Sequence, residues 1–287
     1  MIDLHLHSAA SDGRSSPEEL VRASARAGLH TVSVTDHDTV AALDRVSEAC
    51  ATEGIDCVPG IEVTSMIGDE DVHILGYFVD HGSPALATFL DGQVADRRRR
   101  VGEMMTRLDA LGVHVDPEDV FRGEGGLAPL WIGRPLLARA LVRSGHVRSA
   151  REAFQRYLAE GKAAWVPRRA PAPDAVIRII HEAGGITSLA HPGMLNHDEW
   201  IPGIAASGLD AMEVYYVEHS PEMTIHYRVL AERLDLAMSG GSDFHGDDAT
   251  RGFVRPGCVP YPEEAFRRLK ERWEAGRGGR RTGERPL

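Results

Sequence analysis

Nine residues of metal-binding type recur at regular places along the chain. His5 and His7 stand one residue apart in "DLHLH", and Asp12 follows in the next loop. His37 closes "TVSVTDHD", Glu62 lies in "GIEV", His73 in "VHILGY" and His191 in "LAHPG". Asp243 and His245 share "GSDFHG". Six imidazoles and three carboxylates exceed the three or four protein ligands that one ion usually takes. They suffice for two or three ions, with a carboxylate such as Glu62 placed to bridge. Mixed imidazole and carboxylate donors suit Zn²⁺, Mn²⁺ or Fe²⁺ better than Ca²⁺ or Mg²⁺.

Each candidate falls at or beside a β-type run. In Ile2–His7 strand alternation sends Asp3, His5 and His7 to one face and Ile2, Leu4 and Leu6 to the other. The His-x-His spacing therefore aims both imidazoles at one point. Ser16-Pro17-Glu18-Glu19 is a helix start with proline in the first turn and a capping-box glutamate, and Gly28 stops that helix. The pattern repeats through "TVSVTDHD", a helix over roughly 40–53, "CVPGIEVTS", "DVHILGYFVD", "GITSLAHPG", "AMEVYY" and "LAMSGGSDFHG". About seven strands alternating with helices predict parallel βα units. In a closed parallel barrel the C-terminal strand ends meet at one mouth, so scattered positions become one cluster. Burying such charges without partners would be expensive, which argues against a purely structural role for them.

The segment 97–168 interrupts the alternation and reads as helical. Val101, Met104, Leu108 and Leu111 keep helical spacing up to Gly112, and a second capping box, Ser149 to Glu152, opens another helix. The expected organisation is barrel over 1–96 and 169–275, an inserted helical domain over 97–168, and a disordered Gly/Arg-rich tail over 276–287. Arg97–Arg100 is expected to be a solvated face.

The 287 residues carry a formal net charge of −11, with 43% hydrophobic and 26% charged residues. That balance describes an ordinary globular chain and disfavours gripping long nucleic acid, which needs clustered Lys and Arg. A small anion remains possible, because a bound cation reverses the local potential. No run approaches 18 apolar residues, so no membrane partner is expected. The first candidate ligand is residue 5, which leaves no room for a signal peptide. Three scattered cysteines fit a reducing compartment, and a cytoplasmic location is expected.

Taken together, "DLHLHSAASDG", "VTDHDT", "GIEVTS", "VHILGYF", "LAHPG" and "GSDFHG" resemble the PHP (polymerase and histidinol phosphatase) family, in the family's order from residue 2 to residue 246. "IGRPLLARALV", "SAREAFQRYLAEGKAAWVPR" and "AGGITSLAHPG" resemble its metal-dependent phosphoesterases that hydrolyse 3′,5′-nucleoside bisphosphates, some of which also trim 5′ ends of short RNA. The resemblance implies a distorted (β/α)7 barrel, TIM-like, with a small inserted helical domain. It also implies a partition of ligands. His5, His7, Glu62 and Asp243 would hold one ion; Glu62, His73 and His191 a second; Asp12, His37 and His245 a third. The implied activity is hydrolysis of a phosphate monoester by a metal-activated water, most readily the 3′-phosphate of a 3′,5′-nucleoside bisphosphate. Asp12, His37 or His245 would protonate the leaving oxygen.

Arg134, in "IGRP" just before Pro135, is the expected phosphate clamp, since a guanidinium beside a helix N-terminus binds phosphate bidentately. Arg168, in "WVPR", stands where similar proteins often carry lysine and is the candidate for the second phosphate. His219, in "YYVEHS", is a candidate to line the mouth. The expected partner is a small phosphorylated nucleotide or short oligonucleotide. Alternatives are 5′–3′ exoribonuclease action on short RNA and histidinol-phosphate hydrolysis. A non-catalytic PHP module or a nucleotide sensor is the alternative of a different class.

Overall fold

The computed structural model describes residues 1–121, 132–246 and 254–280. The chain divides into two compact units, Met1–Phe89 with Pro171–Leu287, and Leu90–Ala170.

The first unit opens with β1 (Ile2–Leu6), α1 (Pro17–Arg26), β2 (Thr31–Val34), α2 (Leu43–Glu53), β3 (Asp56–Cys57), β4 (Gly60–Ile67) and β5 (Glu70–Tyr77). α1 begins as its sequence requires. Ser16 Oγ accepts the Glu19 N–H, and the Glu19 carboxylate accepts the Ser16 N–H. Helix α3 (Pro84–Ala110) starts in this unit and continues into the second. The second unit adds α4 (Pro117–Phe121), α5 (Arg134–Arg143), α6 (Ala150–Ala153) and a π-helical turn, Phe154–Leu158. The chain then returns to the first unit with α7 (Pro173–Glu182), β6 (Ile186–Leu189), α8 (Pro192–Leu195), a 3₁₀ turn Asp198–Trp200 and α9 (Ile201–Ala206). β7 (Ala211–Tyr216), α10 (Pro221–Arg233), β8 (Ala237–Gly241) and α11 (Glu263–Arg280) close it. Among the described residues no helix is long and apolar enough to cross a membrane.

The strands form two sheets, β1-β2-β3 and β4-β5-β6-β7-β8. Parallel bridges His37↔Glu62 and Leu6↔Phe244 link them at both sides. At the second link the Asp243 N–H donates to His5 O at 2.8 Å and the His7 N–H to Phe244 O at 2.9 Å. β1-β2, β6-β7 and β7-β8 pair in parallel. The uniform parallel order expected from alternation fails at β5, which is antiparallel to both β4 and β6. The two-residue turn between Ile67 and Glu70 makes a hairpin, and a hairpin reverses direction. That reversal explains why His73 stands early in its strand. The N-terminal half of β5 lies beside the C-terminal halves of its antiparallel neighbours β4 and β6, with His73 opposite Thr64. "CVPGIEVTS" is also two strands rather than one, broken between Cys57 and Gly60.

Alternation in β1 works as expected. Ile2 and Leu4 pack with Leu75, Tyr77 and Leu269, while Leu6 packs with Leu20, Val21 and Val46. His5 and His7 face the other way and are fully buried. Gly241 lets β8 approach β1 this closely, because a Cβ built on it would sit 2.3 Å from His5 Cβ and 2.5 Å from His5 N. We expect Gly241→Ala to cost about 3 kcal/mol or more of stability through overpacking, read as a lower urea midpoint. An unchanged midpoint would show that the strands can part without loss.

The second unit has its own core of Val101, Met104, Leu108, Leu137, Leu141 and Leu158. Leu111 lies outside it, half exposed, beyond the end of α3. The arginine run is a solvated face only at Arg98. Arg97 is buried, Arg99 pairs with Asp96 and Glu103, and Arg100 Nε donates to Val166 O at 2.8 Å. Ser149 Oγ caps α6 as expected, but Glu152 accepts the N–H of Arg148 rather than that of Ser149. The segment expected to be a disordered tail is helical through Arg280, and 281–287 lie outside the described residues.

Candidate metal centre

All nine candidate ligands converge in the first unit. Glu62, on β4 and fully buried, is their hub. Its Oε2 lies 3.3 Å from His5 Nε2, 3.2 Å from His7 Nε2 and 3.1 Å from His37 Nδ1. Its Oε1 lies 2.9 Å from His73 Nδ1 and 3.1 Å from His191 Nε2. One carboxylate thus faces five imidazoles. Asp243 Oδ1 is 3.4 Å from His5 Nε2 and 3.2 Å from His7 Nε2, and its Oδ2 accepts the Tyr216 hydroxyl at 3.0 Å. At the more open end Asp12 Oδ1 is 3.2 Å from His245 Nε2, and Asp12 Oδ2 is 3.8 Å from His37 Nε2.

Three subclusters bring ligand atoms within 4.8 Å of one another: His5, His7 and Asp243; His37, Glu62 and His73; and His7, Asp12, His37 and His245. The first holds the expected His5, His7 and Asp243 without Glu62, and the last holds the expected Asp12, His37 and His245 together with His7. The second differs: His37 joins Glu62 and His73 there, while His191 reaches the group through its contact with Glu62 Oε1. His7 and His37 each belong to two subclusters.

The donor chemistry fits cations. His7 is fully buried, and its ring nitrogens meet Glu62, Asp243 and Asp12 as ion pairs without good hydrogen-bond geometry. A buried imidazole without a hydrogen-bond partner is costly, and a metal ion is the partner that mixed imidazole and carboxylate donors accept. Two candidate ligands also sit in left-handed backbone, His191 at φ 28° and Asp243 at φ 52°. Strain of this kind persists only where surroundings enforce it.

The electrostatics follow from burial against pairing. Burial alone would push the His5 imidazole toward neutrality, yet Glu213, Glu62 and Asp243 override it and hold its pKa well above the usual range. His7 behaves likewise beside Asp243 and Glu62, reaching about 10. Burial would raise the Glu62 and Asp243 carboxyls, but the surrounding imidazoles hold both well below the usual carboxylate range. His37 goes the other way, because burial and His7 outweigh Glu62 and Asp12. Without a cation the cluster therefore keeps its carboxylates charged and the rings of His5 and His7 protonated, and a metal ion would bind by displacing those protons.

A cleft of about 130 Å³ lined by Val72, His73, Leu189, His191 and Met194 opens beside the cluster. His219 uses both ring nitrogens on backbone: Nδ1 donates to Val214 O at 2.9 Å, and Nε2 accepts the Gly193 N–H at 3.2 Å. Arg134 and Arg168 belong to the second unit. Arg134 is itself the first residue of α5, and its guanidinium carbon lies 5.8 Å from the Phe154 ring centroid.

Several supporting residues escaped the sequence reading. Glu213 lies 3.0 Å from His5 Nδ1. Asp36 accepts from Ser8 N, Ser8 Oγ and Ser11 Oγ, which shapes the loop carrying Asp12. Asp38 accepts the Thr64 N–H beside Glu62. The one signal for Glu213 was a lone charge inside the otherwise uncharged "AMEVYY".

The chain is similar to known proteins. The PHP domain family profile matches residues 3–164. The 5′-3′ exoribonuclease Rnm of Escherichia coli is 34% identical over 85% of this chain and 84% of its own length. The 3′,5′-nucleoside bisphosphate phosphatase of Chromobacterium violaceum is 35% identical over 85% of this chain and 87% of its own. A crystal structure from Bifidobacterium adolescentis, assigned as a metal-dependent phosphoesterase, superposes with a TM-score of 0.80 at 31% identity, covering 94% of this chain and 96% of that one. With its histidines and carboxylates gathered around one shared glutamate, this chain belongs to the PHP domain family and is a metal-dependent phosphoesterase.

Proposed function

We propose that the protein removes the 3′-phosphate of small 3′,5′-nucleoside bisphosphates at a centre of two or three divalent ions, Mn²⁺, Zn²⁺ or Fe²⁺. The observation that carries this reading is the Glu62 carboxylate facing five imidazoles, two on one oxygen and three on the other. A carboxylate so placed suits a bridge between neighbouring cations. The strand circuit, with β1, β2, β4, β5, β6, β7 and β8 as staves, is read as a distorted (β/α)7 barrel whose mouth holds the centre.

His5, His7, Glu62 and Asp243 would hold one ion, and Glu62, His73 and His191 a second. Asp12, His37 and His245 would hold a third. Bound ions would supply Lewis acidity toward the phosphoryl oxygens and an acidified water near neutral pH. The chain's own residues do the rest. Glu62 and Asp243 stay ionised and fix the spacing of the imidazoles around them. Asp12, His37 and His245, at the more exposed end, are the groups from which a proton reaches the leaving oxygen. Arg134 and Arg168 bind the phosphate that is not cleaved.

The bisphosphate reading draws on the similarity to the Chromobacterium violaceum phosphatase. The comparable similarity to the Escherichia coli exoribonuclease supports a second reading, 5′–3′ trimming of short RNA, which the same centre could perform. The test is phosphate release by Mn²⁺-supplied protein from adenosine 3′,5′-bisphosphate, AMP, histidinol phosphate and a short 5′-phosphorylated RNA. Fast turnover of the bisphosphate with little from AMP supports the leading reading. Preference for RNA or for histidinol phosphate overturns it.

The arginines give a sharper expectation. A charge-assisted bidentate contact contributes roughly 1.5–3 kcal/mol. Arg134→Ala should therefore raise KM for the bisphosphate by roughly 10- to 100-fold while leaving p-nitrophenyl phosphate hydrolysis nearly unchanged. Equal losses on both substrates would remove Arg134 from the second-phosphate site. Arg168→Ala is expected to act in the same direction.

A further inference from the structure

β7 carries none of the nine candidate ligands, yet side chains that hold His5, His191 and Asp243 come from it and from the turn after it. Glu213, fully buried, divides its two oxygens between two other segments. Oε1 lies 3.0 Å from His5 Nδ1, and Oε2 accepts the His191 backbone N–H at 2.7 Å. A neutral imidazole that donates its Nδ1–H to a carboxylate carries its free lone pair on Nε2, so the partner fixes the tautomer. The His5 Nε2 so defined faces Glu62 and Asp243.

The second contact acts on backbone. His191 holds a left-handed φ of 28° at the head of α8, a conformation a β-carbon disfavours. Its own N–H is tied to Glu213, and two residues on the Gly193 N–H is tied to His219 Nε2. This pinned turn aims His191 Nε2 at Glu62 Oε1, 3.1 Å away. Tyr216 adds a third restraint by donating to Asp243 Oδ2.

We propose that Glu213 is a positioning residue of the metal centre. It sets the His5 tautomer and clamps the His191 turn, so that two imidazole Nε2 atoms from β1 and from the β6–α8 turn converge on Glu62. The assignment rests on the reading that His5 and His191 are ligands. It predicts that removing the Glu213 charge weakens metal binding without contact with any ion. Asp210 provides a natural comparison. It is a carboxylate just before the same strand that bonds His181 Nε2 at 2.6 Å, Thr187 N at 2.9 Å and Thr187 Oγ1 at 2.9 Å, none of them a candidate ligand.

The experiment is calorimetric Mn²⁺ titration of metal-stripped full-length protein, as wild type, His5→Ala, Glu213→Gln and Asp210→Asn. Melting temperatures of the stripped forms and visible spectra of their Co²⁺ forms accompany it. A glutamine has one acceptor oxygen and cannot serve both partners. Glu213→Gln should bind about 10- to 100-fold more weakly, the range for lost outer-shell partners of a ligand, with an altered Co²⁺ spectrum. Asp210→Asn should bind like wild type even if its stripped form melts lower. Should Glu213→Gln fail to fold, Glu213→Asp carries the same expectation, because it keeps the charge but cannot span both partners. Wild-type affinity and spectrum in the Glu213 variant would overturn the proposal, as would a loss matched by Asp210→Asn. Wild-type binding by His5→Ala would instead overturn the ligand assignment beneath it.

Discussion

Glu62→Gln should lower kcat/KM on any phosphate ester by about a thousandfold or more. Loss of a single electrostatic group at a transition state costs roughly 10²–10³. Glu62 is no single contact, since it faces His5, His7, His37, His73 and His191 at 2.9–3.3 Å. The substitution keeps the shape and removes the charge, so five imidazoles lose their common anion at once. Metal analysis should show fewer ions per chain than wild type. The Asp243→Ala variant should fall in the same direction, because Asp243 touches His5, His7 and His245. A Glu62→Gln protein that retained full ion content and activity would show that the shared carboxylate is dispensable.

Stripping the metals should destabilise the protein strongly. An ion present at about a thousand times its Kd adds about 4 kcal/mol to folding stability. At roughly 2–4 °C per kcal/mol for a chain of this size, chelation should lower the melting temperature on the order of 10 °C per ion. The physical cause is local. The carboxylates of Glu62 and Asp243 are buried beside the rings of His5 and His7, and a bound cation would supply the carboxylates' counter-charge. Restoring Mn²⁺ should restore both the melting temperature and turnover. A melting curve indifferent to chelator, recorded on protein shown to have held metal, would mean that the ions contribute nothing to the fold.

The nine candidate ligands were legible because metal chemistry admits few residue types and strand ends give them a common address. His5-x-His7 needed only strand alternation to point both rings one way. The N-cap at Ser16 and the helix stop at Gly28 were equally local and equally readable. The direction of β5 was not, because alternation of apolar and polar residues is the same whichever way a strand runs. Only the tight Ile67–Glu70 turn distinguishes a hairpin from a crossover, and its two-residue Gly68-Asp69 loop, with Gly68 at φ 63°, was the local signal that went unread. Glu213 was missed for a related reason. A residue that supports a ligand has no spacing rule, since its partners His5 and His191 come from distant parts of the chain. The arginine run misled because charge predicts exposure only when nothing nearby accepts its hydrogen bonds. Asp96, Glu103 and the Val166 carbonyl do so here.

Anomalous diffraction at the manganese edge, from crystals grown with Mn²⁺, would locate the ions. At least two peaks are expected within the cluster, one bounded by His5, His7 and Asp243 and one bounded by His73 and His191, with Glu62 between them. A third peak among Asp12, His37 and His245 would fill the remaining set. A single peak away from Glu62, or none in the cluster while the same protein hydrolyses phosphate esters, would contradict a metal centre bridged by Glu62.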